Sequence, residues 1–395
     1  MPSRFAIRLN CAGCILRMPD PIDSGTPRPL KILLLSAGSL LSQNILDALE
    51  PRRPRLRVIG ADAAPENARL FRCDTAYLTP ALDAAAAFEA RFGEILAGEE
   101  PDIVFPGRDH DVNFLADYQA RHPGGRAAIP CGSLQAARIM QDKSLSHEFC
   151  LSHDLPCAAI LHLRPAVTLE QIKAWLAQTR LPVLAKPCSG YGSLGIKFIQ
   201  SPGQCESLPR DGSCLLQEFI GPVPDLGEIA DSARRGLPFF FTIPVEDQYA
   251  AQTLIAPDGG IGEVFCSRSR MVLGRCEASW PVRDEAMASV VRASARAFAG
   301  IGWRGSLNVQ LRLRPDGGCA IHEFNGRMSG STSARRLLGY DEVRLLVRAF
   351  AGRDLGPAPD EQPPRGEGYV VRSLTDYFVP LAKAAVLRET GRWSR

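Results

Sequence analysis

A lysine stands directly before a run of small residues in Leu184-Ala-Lys186-Pro-Cys-Ser-Gly-Tyr-Gly-Ser-Leu-Gly195. Glycines let successive backbone N–H groups point into one concavity, which suits phosphate oxygens, and a lysine at the strand end adds a point charge for the same group. No G-K-[ST] opens a helix here, so this is not a P-loop. Alone, the motif fits a phosphate cradle or a flexible turn with a surface lysine. A second constellation is denser: Asn308-Val-Gln310, then Ile321-His-Glu323-Phe-Asn325-Gly-Arg327-Met-Ser-Gly-Ser331. Side chains alternate along a strand, so Glu323 and Asn325 are expected on one face, with Gln310 converging from the neighbouring strand. Two amide oxygens and a carboxylate are hard ligands that suit Mg²⁺ and leave positions for phosphate and water. By spacing Arg327 shares that face and could hold a transferring phosphoryl group. The alternative is a polar strand face followed by a Gly-Ser loop.

Other positions say less. Leu215-Leu-Gln-Glu218-Phe-Ile220 is an apolar strand carrying one acid. Arg268 and Arg270 alternate on a strand expected to face the cleft, where Arg270 would bind a substrate carboxylate; solvated edge arginines are the alternative. Cys188 lies beside the glycine run, but no residue in the pattern supplies a base for a nucleophile. His110 and His322 have no partner pattern and read as core or surface histidines.

These residues must be held by an alternating fold. Lys31–Ser36, Leu56–Ala61, Ala76–Leu78, Asp102–Phe105 and Ala127–Ile129 read as strands, with helices from Ser42, over 84–96 and over 111–118. That alternation predicts an open parallel α/β unit over 30–132. Its first turn has one glycine where a dinucleotide fingerprint needs three, so Asp62, at a strand end, is a weak ribose ligand and NAD binding is disfavoured. After Ser133 the pattern changes to a small α+β lobe over 133–220. A polar, irregular stretch at 221–238 precedes strands at about 239–245 and 250–256 and a hairpin continuing through 262–272. Arg283–Ala299 is a long amphipathic helix, and a hairpin follows around Pro315-Asp-Gly-Gly318. The lobe carrying the metal motif spans 221–352, and 353–395 is a linker with a last strand and helix. Residues 1–29 read as a loose extension without the apolar core of a signal peptide.

Length and composition limit the function. With 395 residues the chain fits two or three lobes, and 45% apolar with 23% charged residues is an ordinary globular balance. A net charge of +3 without a dense Lys/Arg block gives no footprint for nucleic acid. No apolar run reaches membrane-span length. Twelve scattered cysteines read as free thiols in a reducing cytoplasm, and Cys11 with Cys14 has no second pair at zinc spacing.

Taken together, the ordered motifs resemble the ATP-grasp superfamily: an α/β domain, a lone Lys143, K-P with the glycine-rich loop, Q-E-F-I, N-V-Q-L and H-E-F-N-G-R. The likeness is nearest to the ATP-binding halves of carbamoyl phosphate synthase large chains and covers about 30–352. It implies an α/β plus α+β fold with a parallel pre-ATP-grasp domain, a small lid lobe and a C-terminal antiparallel-sheet lobe. It implies ATP and Mg²⁺ or Mn²⁺, two ions, as cofactors. Lys143 and Lys186 would contact phosphates, with Ser189, Gly190, Gly192, Ser193 and Gly195 in the lid above them. Glu218, Phe219 and Ile220 would meet the adenine at the hinge. Gln310, Glu323 and Asn325 would hold metal, and Arg327 the phosphoryl group. The implied activity is ADP-forming carboxylate–amine ligation through an acyl phosphate. Phosphorylation of bicarbonate or carbamate and non-catalytic nucleotide binding are the alternatives. Small-molecule carboxylates and amines are the implied partners, with no nucleic acid or membrane and with a homodimer left open. Three features depart from the family. Gly326 stands where N-P-R has proline, which is expected to loosen the backbone there. The ribose-binding acid is displaced to Glu228 or Asp247 beside Gln248-Tyr249. Only one ATP-binding unit is present.

Overall fold

The computed structural model describes residues 28–190, 194–221, 248–272, 275–358, 368–373 and 378–395, with the single positions 223, 227 and 231. The first sheet is made by the apolar runs read above. Strands β1 (Leu30–Leu34), β2 (Leu56–Asp62), β3 (Thr75–Leu78) and β4 (Ile103–Phe105) alternate with helices α1 (Leu40–Leu49), α2 (Ala85–Glu99) and α3 (Asp109–Arg121). They pair in parallel in the order β3-β2-β1-β4. Buried on both faces, these strands need no polar alternation, which is why they read as continuous apolar runs. The expected strand at Ala127–Ile129 is reduced to a single bridge between Ile103 and Ala128. Pro130 follows at once and cannot donate to a ladder.

Helices α4 (Leu134–Gln141) and α5 (Lys143–Ser152) come next. The boundary expected at 133 does not coincide with their packing. Met140, Phe149, Cys150 and Leu155 share one core with Phe92, Leu115, Phe298, Trp303 and Phe324 of the flanking lobes. The small lobe has a separate core of Leu163, Ile172, Leu176, Val183, Ala185, Ile199 and Leu216. Its sheet is antiparallel, in the order β5-β8-β6-β7, from β5 (Ile160–His162), β6 (Val183–Pro187), β7 (Lys197–Ile199) and β8 (Cys214–Glu218), with α6 (Leu169–Thr179) packed on it.

The large antiparallel sheet contains β9 (Gln248–Ile255), β10 (Phe265–Val272), β11 (Arg275–Val282), β12 (Gly305–Leu313) and β13 (Cys319–Asn325), with α7 (Glu285–Gly300) between β11 and β12. Strand β11 was not expected, because Arg275-Cys-Glu-Ala-Ser-Trp-Pro-Val282 carries little apolar alternation. The expected strand at 239–245 lies outside the described residues, as do the leader through position 27 and the Cys11–Cys14 pair. Two short helices, α8 (Thr332–Leu337) and α9 (Glu342–Ala351), follow the hairpin. Arg335 and Glu342 form a fully buried ion pair between them at 2.5 Å.

The C-terminal stretch ties the sheets together. Strand β14 (Val370–Val371) extends the large sheet beside β11, α10 (Leu381–Thr390) follows, and β15 (Arg392–Ser394) adds antiparallel to β3. A last strand and helix were expected; the return of β15 to the first sheet was not. Trp393 is buried there against Phe71, ring centroids 5.5 Å apart. Ten described cysteines are free thiols, eight of them buried. Among the described residues no helix is long and apolar enough to cross a membrane.

Truncating Trp393 removes a large ring from a filled core. Trp393→Ala should lower unfolding free energy by about 3 kcal/mol in urea denaturation. A loss under about 0.5 kcal/mol would show that the terminal strand is not part of the cooperative unit.

Candidate active site

A cleft of about 890 Å³ lies between the small lobe, the large sheet and the β1–α1 and β4–α3 turns of the first domain. That volume suits a nucleotide-sized ligand. On the lid side, alternation along β6 divides its side chains. Val183 and Ala185 enter the lid core, whereas Leu184 and Lys186 line the cleft. Lys186 is buried, and its Nζ donates to Gln217 Oε1 at 2.5 Å. Burial pushes its pKa down to about 8; Glu323 opposes the shift, while Lys143 and Arg312 add to it. Lys143 opens α5, whose N-terminus is capped by Asp142. Its backbone N–H donates to the Cys188 carbonyl at 2.9 Å, and its Nζ reaches the Gly190 carbonyl at 3.5 Å. The helix and the glycine loop are thereby joined. Gly195 takes a left-handed φ of +74°, which a side chain would resist. Gly190 and Leu194 line the cleft, Ser189 is exposed and does not, and Gly192 and Ser193 lie outside the described residues.

Cys188 is no nucleophile in this setting. His162 Nε2 lies 3.5 Å from its sulfur but 2.8 Å from the Gly212 carbonyl, and Arg164 donates to Nδ1. The proton therefore sits on Nε2, which leaves no base for the thiol. Burial pushes the Cys188 thiol up to about 11.

At the hinge, Glu218 is held bidentately by Arg314 at 2.6 and 2.9 Å and also accepts from the Ala159 N–H at 3.1 Å. Burial is the largest influence and raises its pKa, but the Arg314 hydrogen bond, the Ala159 N–H and the Arg314 charge together outweigh it and the net shift is downward. The carboxylate is thus committed to joining lid and hairpin. Glu218, Phe219 and Ile220 all line the cleft, and Phe219 meets Phe198 edge-on at 5.1 Å. Leu184, Ile196 and Ala158 make this part of the cleft apolar.

The β12–β13 hairpin carries the polar floor. Gln310 pairs with Glu323 and Asn308 with Asn325. The register then steps to Leu311 opposite Ile321, so His322 is an extra residue in a β-bulge. The bulge turns both His322 and Glu323 into the cleft. Asn308, Gln310 and Arg312 line it by simple alternation, while Asn325 is buried opposite Asn308. The side-chain nitrogens of Asn308 and Asn325 have no hydrogen-bond partner. Among the described residues no group of three His, Cys, Asp or Glu could hold a metal. The donor set is one carboxylate with neighbouring amides, which fits a hard cation that keeps positions for phosphate and water.

Arg327 lines the cleft and forms a two-point ion pair with Asp109, Nε–Oδ1 2.7 Å and Nη2–Oδ2 2.8 Å. Burial works against its charge, but Asp109 raises its pKa overall. Gly326 is glycine for lack of space. An added Cβ would lie 2.6 Å from the Trp303 ring and 3.0 Å from Met140 Sδ. The expected loosening of the backbone is thus a close approach to a buried indole.

Some expectations need correction. Arg270 does not reach the cleft: it is exposed and lies 3.5 Å from Glu277, and Arg268 stacks on Trp280. Ser269 and Met271 face the cleft instead. The buried serines 267 and 269 set the phase of β10, opposite to the one expected. Asp62 is buried and accepts from the N–H groups of Gly38 and Ala64, so it shapes the first turn rather than awaiting a ribose. Glu228 and Asp247 lie outside the described residues, and Gln248 and Tyr249 line the cleft. Cleft residues that went unassigned in the sequence include Asp109, Gln217, Arg312 and His322. Asp109 had a usable signal, since it starts a helix just past the carboxyl end of a parallel strand, where such folds bind ligands.

Two measurements test this geometry. Gly326→Ala should cost about 2 kcal/mol of stability by overpacking against Trp303. An unchanged denaturation midpoint would contradict the contact. Lys186 is charged below about pH 8, and nearby phosphates favour its charged form. ATP binding at pH 8 should therefore take up a fraction of a proton and weaken as pH rises further. Calorimetry in buffers of different ionisation enthalpy should show this uptake, and Lys186→Ala should abolish it while weakening ATP binding.

No family model matches the chain. Phosphoribosylamine–glycine ligase of Pyrococcus abyssi is 25% identical over 224 residues, 54% of this chain and 49% of that protein. The chain spans about half the length of the curated relatives it matches. Among solved structures, the ADP complex of Staphylococcus aureus N5-carboxyaminoimidazole synthetase superposes with a TM-score of 0.61 at 12% identity, covering 83% of this chain and 79% of that one. The biotin carboxylase domain of Hydrogenobacter thermophilus 2-oxoglutarate carboxylase, a dimer holding MgADP and bicarbonate, gives 0.60 at 15% identity over 83% and 71%. These superpositions show the fold of the chain: a parallel domain, a small antiparallel lid and a large sheet around one cleft, which is the ATP-grasp fold.

Proposed function

We propose that the chain is an ATP-dependent, ADP-forming carboxylate–amine ligase that makes an amide or peptide bond through an acyl phosphate. One observation carries this reading: Lys143, Lys186 and Arg327 converge in a single cleft on the Gln310–Glu323 pair. Cations gathered there suit the charge that develops during γ-phosphoryl transfer. The relatives matched by sequence bear the name of a ligase, and one neighbouring structure holds MgADP.

The roles follow from position. Leu184, Phe198 and Ile220 form an apolar slot for the base, with the backbone at 218–220 beside it. Lys143, Lys186 and the loop around Gly190 take the phosphates. Gln310, Glu323 and Asn325 would hold Mg²⁺ or Mn²⁺, two ions in the family pattern. When bound, such ions neutralise phosphate charge. Lys186 and Arg327 flank the γ-phosphoryl group as a carboxylate oxygen attacks phosphorus and the bond to ADP breaks. The amine nitrogen then attacks the acyl carbon, phosphate leaves with the bonding electrons, and the amine loses a proton. The glycine loop excludes water from the intermediate. The proposal extends to a homodimer, as in the Hydrogenobacter domain, and to a reducing cytoplasmic setting that suits the free thiols.

A second reading is phosphorylation of bicarbonate or carbamate, favoured by the bicarbonate bound in that neighbour. Incubation with MgATP, a pool of carboxylates and hydroxylamine separates the two. Ligation predicts ADP and a hydroxamate. ADP release that needs bicarbonate and no organic acid selects the second reading, and stoichiometric AMP refutes both. Glu323→Ala should lower turnover by about a hundredfold or more with the fold retained. A folded variant with wild-type ADP production would overturn the metal assignment.

A further inference from the structure

We propose that Asp109, contributed by the first domain, is the positioning residue that aims Arg327 at the phosphoryl group. The two residues are 218 positions apart and come from different lobes. Asp109 is the first residue of α3, and that end of the helix is firmly built. Asp111 accepts from the N–H groups of both Gly107 and Arg108 at 2.9 Å, and Ser36 donates to its other oxygen at 3.0 Å. The Asp109 carboxylate therefore rests on a rigid turn at the carboxyl end of β4.

Asp109 holds the guanidinium at two of its nitrogens, by a 2.8 Å hydrogen bond from Nη2 and a 2.7 Å ionic contact at Nε, and two points of contact restrict how the planar group can turn. Nε and Nη2 of Arg327 face Asp109. Nη1 makes only a long 3.3 Å hydrogen bond to the Met328 carbonyl. The Nη1 side is thus the one available to a phosphoryl oxygen. Without Asp109 the guanidinium would keep its charge but lose its orientation. The segment that carries Arg327 supplies only that long bond, since the neighbouring Gly326 is wedged against Trp303 and offers no side chain. The first domain would then do more than shape one wall of the cleft: its docking would set the geometry of phosphoryl transfer.

The proposal rests on the phosphoryl-binding reading of Arg327 given above. Its test is calorimetric and needs no knowledge of the natural substrate. Inorganic phosphate is titrated into protein saturated with MgADP, and MgADP affinity is measured separately. Wild type should bind phosphate, and Arg327→Lys should lose it. Asp109→Asn should bind phosphate about tenfold more weakly, while its MgADP affinity stays within about twofold of wild type. Asp109→Glu, which keeps the charge, should recover part of the loss. A merely structural role would lower both affinities together. Phosphate binding by Asp109→Asn that equals or exceeds wild type would overturn the proposal, because the carboxylate would then be only a competitor for Arg327. Absence of phosphate binding in wild type, or its survival in Arg327→Lys, would instead overturn the reading of Arg327 itself, and the positioning role with it. If Asp109→Asn does not fold, the Asp109→Glu variant decides: phosphate affinity equal to or above wild type overturns the role, and a selective loss supports it.

Discussion

Strand β12 must satisfy two demands at once, and the site depends on how it does so. Leu307, Val309 and Leu311 point into the main core, where they meet Phe298, Trp303 and Phe324. Asn308, Gln310 and Arg312 point into the cleft. Each fully buried aliphatic residue contributes about 1.5–3 kcal/mol, so a one-residue slip of this strand would exchange core for site at prohibitive cost. The apolar face thus fixes where the polar groups stand. On β13 the same requirement is met with a bulge, which places His322 and Glu323 side by side in the cleft.

Charge is the second constraint. The cleft gathers Lys143, Lys186, Arg312, Arg327 and Arg335 within a limited volume, and burial of such groups is costly. Several carry a built-in partner: Asp109 for Arg327, Glu342 for Arg335 and Gln217 for Lys186. Glu323 is the carboxylate that favours the charged form of Lys186. The cations that the proposed chemistry would use are thereby held ready, and the buried amide nitrogens of Gln217, Asn308 and Asn325 remain unpartnered around them. Unsatisfied buried polar groups are expected where a ligand completes the network.

Polar contacts add to the shared core in joining the lobes. Arg314 links the large-sheet hairpin to Glu218 at the hinge, and Arg372 of the C-terminal stretch donates to Asn44 of α1 at 2.8 Å. The lid keeps a core of its own. Its independence suits a lobe that could move as a unit about the hinge, whereas α4 and α5 belong to the body on which it would move.

By itself the sequence determined the elements whose pattern is local. The parallel strands of the first domain are continuous apolar runs, and the glycine loop and the N-V-Q and H-E-F-N-G-R strands carry their chemistry in consecutive residues. Lys186, Gln310, Glu323 and Arg327 were legible for that reason, Lys143 and Glu218 only through the family resemblance, and the structure gathers all six in one cleft. What depends on pairing was decided only by tertiary structure. Arg270 has the right spacing but the wrong phase, because alternation tells which residues share a face and not which face is buried. His322 enters the cleft beside Glu323 through a bulge visible only in the register with β12. Gly326 looks permissive in sequence and proves tight in space, since Trp303 comes from another part of the chain. Asp109 meets Arg327 across 218 positions, a distance over which no local pattern carries information and only the packing of lobes does.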